Sequence, residues 1–278
     1  MGNTFGERLT ARLRERGPLC VGIDPHAALL QQWGLSDDAA GLERFAGTVV
    51  QALAGEVAVL KPQSAFFERH GSAGIAVLER IVAEARSAGA IVILDVKRGD
   101  IGSTAAGYAD AYLDQSGPLA ADAITASPFL GYGSLRPMID TATRNDAGVF
   151  VLAMTSNPEG ATVQQAVGAD GATVAQQIVT EAAADNAGAA PLGSVGVVVG
   201  ATVGELGLHL ASLNGPVLVP GLGAQGGTPA DLRRLFAGLP GIIPSASRSV
   251  LSAGPDPAAL LAAARRQIEE LREVGLCA

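Results

Sequence analysis

Eight short runs of apolar, often β-branched residues recur along the chain, and helical stretches separate them. Most of these runs are continuously apolar, which is typical of parallel strands that are buried on both faces. Eight alternating strand and helix units in roughly 250 residues favour a (β/α)8 barrel. A doubly wound sheet is the alternative, but no glycine fingerprint for a dinucleotide follows the first run. The predicted strands are Leu19–Asp24, Val57–Lys61, Ile91–Val96, Asp122–Ser127, Val149–Met154, Val195–Val199, Val217–Pro220 and Gly241–Ala246.

The segments between the strands carry the signals that begin and end helices. Ser36 is the predicted cap of one helix, and Thr228 caps another that opens with a proline. The stretch Thr4–Arg16 predicts an extra N-terminal helix that closes the bottom of the barrel. The longest irregular stretch is Thr155–Gly171, and loops of that length are often lids. No linker, low-complexity block or charge run divides the chain, so we expect residues 1–278 to form one barrel domain.

The composition excludes several classes of protein. A formal net charge of −8 argues against a nucleic-acid binder, which needs a basic face to neutralise phosphates. No apolar run reaches the roughly 18 residues of a membrane span, and the N-terminus lacks the apolar core of a signal peptide. Cys20 and Cys277 form neither a disulfide framework nor a zinc set, so we expect a cytoplasmic location. The three histidines lack metal-ligand spacing, and no metal site is expected.

The third predicted strand ends in a cluster of charges. Asp95 and Lys97 are two residues apart, so their side chains project from the same face of a strand, and Asp100 follows just past its end. Three charges at the mouth of a buried strand are costly to desolvate unless they pair with one another or meet a ligand. An ion cluster that only pairs with itself is one interpretation, but such clusters favour functional sites.

Charged or polar residues also end most of the other predicted strands. Active sites of (β/α)8 barrels form at this end of the strands. The glycine-rich segment Pro220–Gly227 opens a helix, where free N–H groups and the helix dipole favour a phosphate, although an ordinary turn is the alternative. Arg248 is placed to add a bidentate contact to the same phosphate. Lysines and aspartates facing a phosphate suit a carbanion that an ammonium group stabilises and protonates. The strand-end residues are Asp24, Lys61, Asp95, Lys97, Asp100, Thr155, Ser156 and Arg248.

The chain resembles the orotidine 5′-phosphate decarboxylase family, and the matching motifs follow the family's order over nearly the whole sequence. Related phosphosugar enzymes share the DxKxxD pattern, whereas the full set is highly specific. The forms TASPFLGYGSL and MTSNPEG resemble a larger prokaryotic subgroup. The resemblance implies a (β/α)8 barrel that converts orotidine 5′-phosphate to UMP and CO2 in de novo pyrimidine biosynthesis, with no metal or organic cofactor. The motifs are VGIDP at 21–25, LKPQ at 60–63, LDVKRGDIGST at 94–104, TASPFLGYGSL at 125–135, MTSNPEG at 154–160, VPGLGAQGG at 219–227 and the segment around Arg248.

The same resemblance implies roles for the charged residues. Lys97 is expected to donate a proton to C6 of the pyrimidine, and Asp95 to lie beside the departing carboxylate. Lys61 is expected to bridge the charges and the ribose. Asp100 and Thr104 are expected to reach into the neighbouring subunit's site. The family resemblance therefore implies a homodimer with shared active sites.

The remaining implied contacts concern substrate binding. Asp24 is expected to bind a ribose hydroxyl, and Ser156 to recognise the pyrimidine. The chain departs from the more common family pattern in having Ser247, where glycine more often precedes the phosphate-binding arginine. The residues expected around the phosphate are Pro220, Gln225, Gly226 and Arg248.

Two other functions remain open at this point. The first is a Mg²⁺-dependent phosphosugar decarboxylase or lyase of the same barrel group, which holds its metal with a carboxylate at the end of strand two. This chain has Lys61 there, which would repel a cation. The second is a nucleotide-binding barrel without catalysis, against which the set of Asp95, Lys97 and Asp100 argues. Activity in EDTA separates the first from the decarboxylase, and UMP binding without turnover would indicate the second.

Overall fold

In the computed structural model, which describes residues 3–204, 207–223 and 225–276, the strands form a closed parallel barrel. Their order around the barrel is their order along the chain, from β1 to β8, and β8 pairs with β1. The prediction of a (β/α)8 barrel is confirmed. The eight strands within the described residues are β1 (Cys20–Ile23), β2 (Val59–Pro62), β3 (Ile91–Arg98), β4 (Ala123–Ala126), β5 (Gly148–Met154), β6 (Val195–Val199), β7 (Val217–Pro220) and β8 (Ile242–Ala246).

Helices surround the barrel and connect its strands. Short 3₁₀ helices lie at Tyr132–Leu135, Pro158–Gly160 and Leu210–Ser212. None of the helices in the described part of the chain is long and apolar enough to cross a membrane. The α-helices of that part are α1 (Phe5–Arg16), α2 (Ala27–Gln32), α3 (Ala39–Leu53), α4 (Ala65–Glu68), α5 (Gly71–Ser87), α6 (Gly102–Leu113), α7 (Arg136–Arg144), α8 (Ala161–Gln164), α9 (Val174–Asp185), α10 (Pro229–Phe236), α11 (Arg248–Leu251) and α12 (Pro257–Glu273).

The strands coincide closely with the apolar runs of the sequence because burial on both faces requires apolar side chains throughout. The predicted and observed bounds are identical for β6 and β7. β3 differs, since it continues two residues beyond the predicted end at Val96. Its register against β4 shifts between Leu94 and Arg98, and Lys97 within this irregular stretch has a φ of +44°. The end of β3 is therefore bulged, and the bulge lies at the charge cluster that the sequence places at this strand end.

Helix α1 closes the N-terminal end of the barrel, as predicted. Phe5, Leu9 and Leu13 are buried there, and they pack with inward-facing residues of the strands. The Phe5 ring meets Phe150 of β5 edge-on, with 6.1 Å between the ring centroids. A Cβ on Gly148 would lie 2.5 Å from the Phe5 ring, so this glycine leaves the space that the ring occupies. The apolar contacts of Phe5, Leu9 and Leu13 therefore hold α1 against the barrel.

The N-terminus of α3 differs from the prediction that Ser36 caps it. The cap is Asp38, whose backbone is extended and whose Oδ1 accepts a hydrogen bond of 2.8 Å from the Gly41 amide. Ser36 lies too far upstream to reach the first free amides of a helix that begins at Ala39. The predicted cap of α10 is confirmed, because Thr228 forms a reciprocal capping box with Asp231.

The stretch Thr155–Gly171 is more regular than the sequence suggests. It contains the 3₁₀ turn at Pro158–Gly160 and then α8, and Val167 forms an antiparallel bridge with Thr173. Gln164 ties α8 back to the end of β5, because its amide exchanges two hydrogen bonds with Thr155. The segment therefore has its own local secondary structure and is hydrogen-bonded to the carboxyl end of β5.

Candidate active site

A cavity of about 300 Å³ opens at the carboxyl ends of the strands. All eight strands run in parallel, so the residues that end them meet at one end of the barrel. Eight of the eleven residues predicted for the site line this cavity. They are Asp24, Lys61, Asp95, Lys97, Ser156, Pro220, Gln225 and Arg248.

Asp95 lies between two lysines at the floor of the cavity. Its Oδ2 is 3.1 Å from Lys61 Nζ, and its Oδ1 is 2.6 Å from Lys97 Nζ. The side chains of Asp95 and Lys61 are each 7% exposed, whereas that of Lys97 is 45% exposed. The two ammonium groups therefore differ in position: one is enclosed beneath the carboxylate, and the other faces the open cavity.

The three charges stabilise one another electrostatically. Burial would raise the pKa of Asp95, but the charges of Lys61 and Lys97 and the hydrogen bonds from Lys97 and Thr125 outweigh it and hold that pKa well below its usual range. Burial would lower the pKa of Lys61, but the negative charges of Asp95 and Asp24 outweigh it and raise that pKa. The carboxylate and the buried ammonium therefore remain ionised over the physiological pH range.

Thr125 of β4 fixes the bulge that carries Lys97. Its Oγ1 donates to Asp95 Oδ1 at 2.7 Å and accepts from the Lys97 backbone amide at 2.9 Å. A lysine with positive φ is locally unfavourable and persists only where neighbouring groups hold it. The hydroxyl of Thr125 thus connects the carboxylate of Asp95 and the backbone of Lys97 in one arrangement.

The residue after Lys97 is anchored on the outer side of β3. The Arg98 guanidinium donates to Glu68 Oε1 at 2.6 Å, and its carbon lies 5.4 Å from the centre of the Tyr108 ring. Ser64 also donates to Glu68 Oε1, at 2.6 Å. The bulge is therefore held from both sides, by Thr125 within the barrel and by Arg98 outside it.

Asp24 follows β1, which pairs with the strand that carries Lys61, and it also lines the cavity. Its Oδ2 accepts a hydrogen bond from Ser247 Oγ, and its buried Oδ1 has no hydrogen-bond partner within the described residues. A Cβ on Gly22 would lie 2.0 Å from Ser247 Oγ, so glycine leaves the space for this contact. Ser247 has a φ of −121°, which serine adopts without the strain of a left-handed conformation.

The glycine-rich segment after β7 folds back on itself before α10. The Gly226 amide donates to Gly223 O at 2.8 Å, and the Gly227 amide donates to Gly221 O at 3.0 Å. At the N-terminus of α10, Thr228 accepts a hydrogen bond from the Asp231 amide, so one of the free amides there is satisfied within the chain; phosphate binding at this helix start stays a prediction. The groups that line this end of the cavity are Gly221, Leu222 and Gln225 of the loop and Arg248 at the start of α11.

The loop after β5 closes a third side of the cavity. Thr155, Ser156 and Asn157 line it, and Thr155 Oγ1 donates to Asn157 Oδ1 at 2.6 Å. A Cβ on Gly200, which follows β6, would lie 2.9 Å from the Ser156 amide. The close approach of these two strand ends therefore places Ser156 against the cavity wall.

Three predicted site residues lie outside this cavity as the described residues form it: Asp100, Thr104 and Gly226. The Asp100 carboxylate accepts a hydrogen bond of 2.8 Å from the Ile101 amide, and Thr104 is exposed in the first turn of α6. Asp100 therefore does not join Asp95 and Lys97 at this cavity, as the described residues form it. Its expected place in a neighbouring subunit's site stays a prediction.

Several lining residues were not predicted, among them Gln63, Asn157, Ser245 and Ser247. Ser245 is a polar residue inside the otherwise apolar β8, which is a signal that the sequence carries. A second signal is compositional. Lys61 and Lys97 are the only lysines among the 19 basic residues of the chain, and both contact Asp95.

The fold and the cavity define a (β/α)8-barrel enzyme whose site combines two ammonium groups, two carboxylates and a guanidinium at the strand ends. The model of the orotidine 5′-phosphate decarboxylase / HUMPS family matches residues 17–264. The chain therefore belongs to this family.

Individual relatives cover nearly the whole chain. An orotidine 5′-phosphate decarboxylase of Salinispora tropica is 62% identical over 270 residues, which is 97% of each chain. A crystal structure from Streptomyces avermitilis matches with a TM-score of 0.96 and 59% identity, and the match covers 98% of this chain and 96% of that one. An OMP decarboxylase of Leishmania donovani matches with a TM-score of 0.77 and 32% identity, over 98% and 99% of the two chains.

Proposed function

We propose that this chain decarboxylates orotidine 5′-phosphate to UMP and CO2 in pyrimidine biosynthesis. The observation that carries the proposal is the position of Asp95 between Lys61 and Lys97 at the floor of the cavity. The family and the orotidine 5′-phosphate decarboxylases about 60% identical to the chain support the same reaction. The strand-two position that would need a metal-binding carboxylate in a Mg²⁺-dependent phosphosugar enzyme holds the Lys61 ammonium, which repels a cation.

Lys97 carries the proton that the reaction needs. When the bond between C6 and the carboxylate breaks, CO2 leaves and the electron pair remains on C6. The Lys97 ammonium, held 2.6 Å from Asp95 on the bulge of β3, stabilises this developing charge and then transfers a proton to C6. Because its side chain is 45% exposed before substrate binds, Lys97 regains a proton from water after each turnover.

Asp95 and Lys61 set the electrostatics around that step. The low pKa of Asp95 keeps its carboxylate charged, so it repels the substrate carboxylate beside it, and the loss of CO2 relieves that repulsion. The buried Lys61 ammonium balances the charge of Asp95 from below and extends toward the ribose. The array is preorganised and needs no rearrangement when charge develops on C6.

The rest of the cavity grips the parts of the substrate that do not react. Arg248 and the loop with Gln225 bind the phosphate, and Ser156 recognises the pyrimidine. Asp24 binds a ribose hydroxyl through its buried Oδ1, which lacks a partner in the described structure. Binding energy from the distant phosphate aligns the pyrimidine over Lys97.

The enzyme acts as a homodimer in which each chain completes the site of its partner. Ile101, Phe129 and Leu130 are exposed by 62%, 76% and 53%, and Ile101 directly follows Asp100. Their two loops are joined, because the Ser127 amide donates to Arg98 O at 2.8 Å. An exposed apolar patch of this kind fits a protein partner, and a second copy of this chain would bring Asp100 and Thr104 toward the neighbouring cavity.

Mixed dimers test the shared site. The variants Lys97→Ala and Asp100→Ala are each expected to be inactive alone. When they are co-expressed, half of the dimers are mixed and each has one intact site, so we expect about a quarter of the wild-type activity. Mixed dimers that form and remain inactive would contradict the shared site.

The reaction itself is tested by the loss of orotidine 5′-phosphate absorbance with purified protein in excess EDTA. We expect turnover, and we expect the Lys97→Ala variant to lose it by a factor of about 10⁴ or more while remaining folded. Turnover only after Mg²⁺ is added, with a phosphosugar as the substrate, would favour the lyase instead. UMP binding without turnover by folded protein would indicate a nucleotide-binding barrel.

Two broader expectations belong to the same proposal. Residues 1–278 form one domain, which the packing of α1 into the barrel and the family match over residues 17–264 support. The enzyme works in the cytoplasm, which the buried free thiol of Cys20 supports, because unpaired cysteines suit a reducing compartment. Cys277 lies outside the described residues.

A further inference from the structure

Ser247 makes a contact that the reaction scheme leaves unused. Its Oγ donates a hydrogen bond to Asp24 Oδ2, across the gap between the ends of β8 and β1. The two residues are 223 positions apart, so only closure of the barrel brings them together. Ser247 also lines the cavity, directly before Arg248.

The contact leaves the two oxygens of Asp24 in different states. Oδ2 has a hydroxyl donor, whereas Oδ1 is buried without a partner in the described structure. A serine hydroxyl has one proton to donate, so the bond occupies Oδ2 and leaves Oδ1 as the oxygen that is open to a ligand. A buried carboxylate oxygen without a donor is unfavourable until a ligand supplies one.

The surrounding backbone is built to allow this bond. A Cβ on Gly22 of β1 would lie 2.0 Å from Ser247 Oγ and 3.1 Å from Asp24 Oδ2. Any larger residue at position 22 would therefore displace the hydroxyl from the carboxylate. Gly22, Asp24 and Ser247 form one unit in which glycine provides the space, serine provides the donor and aspartate presents its second oxygen.

We propose that Ser247 is a positioning residue that orients Asp24 toward a ribose hydroxyl and so makes the site select a ribonucleotide over its deoxy counterpart. The inference rests on the proposed function, because it takes a nucleotide as the ligand. Its place beside Arg248 means that one short segment, residues 247–248, determines both the sugar contact and the phosphate contact. Ser247 acts through Asp24 and does not touch the reacting atoms.

The test is the affinity of the full-length protein for UMP, 2′-deoxy-UMP and 3′-deoxy-UMP, measured by calorimetry. We expect Ser247→Ala to weaken UMP binding about tenfold, as for loss of a hydrogen bond to a charged group. We expect the same variant to bind one deoxy nucleotide, the one that lacks the hydroxyl held by Asp24, within about twofold of wild type. Ser252→Ala, which changes an exposed serine just after α11, is the matched control and should change none of the three affinities.

The outcomes separate this role from a purely structural one. Equal weakening of all three nucleotides, or unchanged UMP binding, would overturn the role of Ser247. If the alanine variant does not fold, Ser247→Gly carries the same comparison, because glycine adopts the backbone angles of this position. Turnover of orotidine 5′-phosphate by the wild-type chain is measured in parallel. Its absence would overturn the proposed function, whereas turnover with unselective losses would overturn only the role of Ser247.

Discussion

The two ends of the barrel are made of the same eight strands but are filled in opposite ways. At the N-terminal end, α1 inserts Phe5, Leu9 and Leu13, which are almost completely buried. At the carboxyl end, the strands finish in charged groups around a cavity of about 300 Å³, and Asp24 Oδ1 is buried without a partner in the described structure. The closed end is filled mainly by apolar side chains of the chain itself, whereas the cavity at the open end is lined by polar groups that a ligand can contact.

This difference separates stability from function within one domain. Apolar burial at the closed end contributes to the free energy of unfolding and takes no part in chemistry. The open end keeps Lys61 and Asp95 ionised in a buried place, which costs desolvation energy and is offset by their mutual attraction. Substitutions at the two ends are therefore expected to change different measurements.

The largest expected effect is at the closed end. Phe5→Ala should lower the free energy of unfolding by about 3–5 kcal/mol, because it leaves a cavity beneath Phe150. Denaturant unfolding measures this change, and the kcat of the folded variant should match wild type. Val167→Ala, which removes an exposed side chain, is the control and should leave stability nearly unchanged. A large loss of kcat in folded Phe5→Ala would break the separation of the two ends.

The second effect belongs to the open end. Arg248→Ala should lower kcat/KM about 10²- to 10³-fold, because it removes charge-assisted hydrogen bonds to the phosphate. Its free energy of unfolding should stay within about 1 kcal/mol of wild type. Steady-state kinetics measure the change in kcat/KM, and denaturant unfolding measures the free energy of unfolding. Unchanged kcat/KM would remove Arg248 from the phosphate site.

The third effect concerns Cys20, which lies inside the barrel between the two ends. Burial raises the pKa of its thiol to about 11, although Lys61 and a hydrogen bond with Ser245 oppose the shift. A thiol with a raised folded-state pKa stabilises the fold below its unfolded pKa of about 8.5, and this contribution disappears as the pH rises through the folded value.

The stability of wild type relative to Cys20→Ala should therefore be level up to about pH 8 and fall by on the order of 2 kcal/mol by pH 11. Urea unfolding of both proteins across this range measures the difference, and the comparison cancels every other group that titrates. A constant difference between the two proteins at all pH values would show that the thiol is less enclosed than the structure indicates.

The smallest expected effect concerns the ion pair between Arg98 and Glu68, which holds the bulge of β3 from outside the barrel. Arg98→Met should lower kcat about tenfold and leave UMP affinity unchanged, because the bulge that presents Lys97 loses its anchor on Glu68. Arg80→Met removes a similar ion pair, to Glu43 on the outer surface, and should change neither value. An equal loss of kcat in both variants would mean that the ion pair of Arg98 with Glu68 has no specific effect on Lys97.

The barrel and most of the cavity could be predicted from the sequence because both depend on local patterns. Buried parallel strands must be apolar throughout, so a polar residue such as Lys61 at the end of such a run stands out. The bulge at Lys97 could not be predicted, because a lysine with positive φ opposes its local preference and depends on Thr125 from another strand. The contact of Ser247 with Asp24 could not be predicted either, since it exists only once the barrel closes.

The two lysines have a practical consequence for studies of this enzyme in solution. Apart from three histidines, every other basic side chain is an arginine, so reagents selective for side-chain amines can react only with Lys61 and Lys97. Lys97 is 45% exposed and Lys61 is 7% exposed, so the two amines differ greatly in accessibility. A chain labelled isotopically at lysine would thus report two signals, both from the floor of the cavity, and would follow occupancy of the site without any engineered probe.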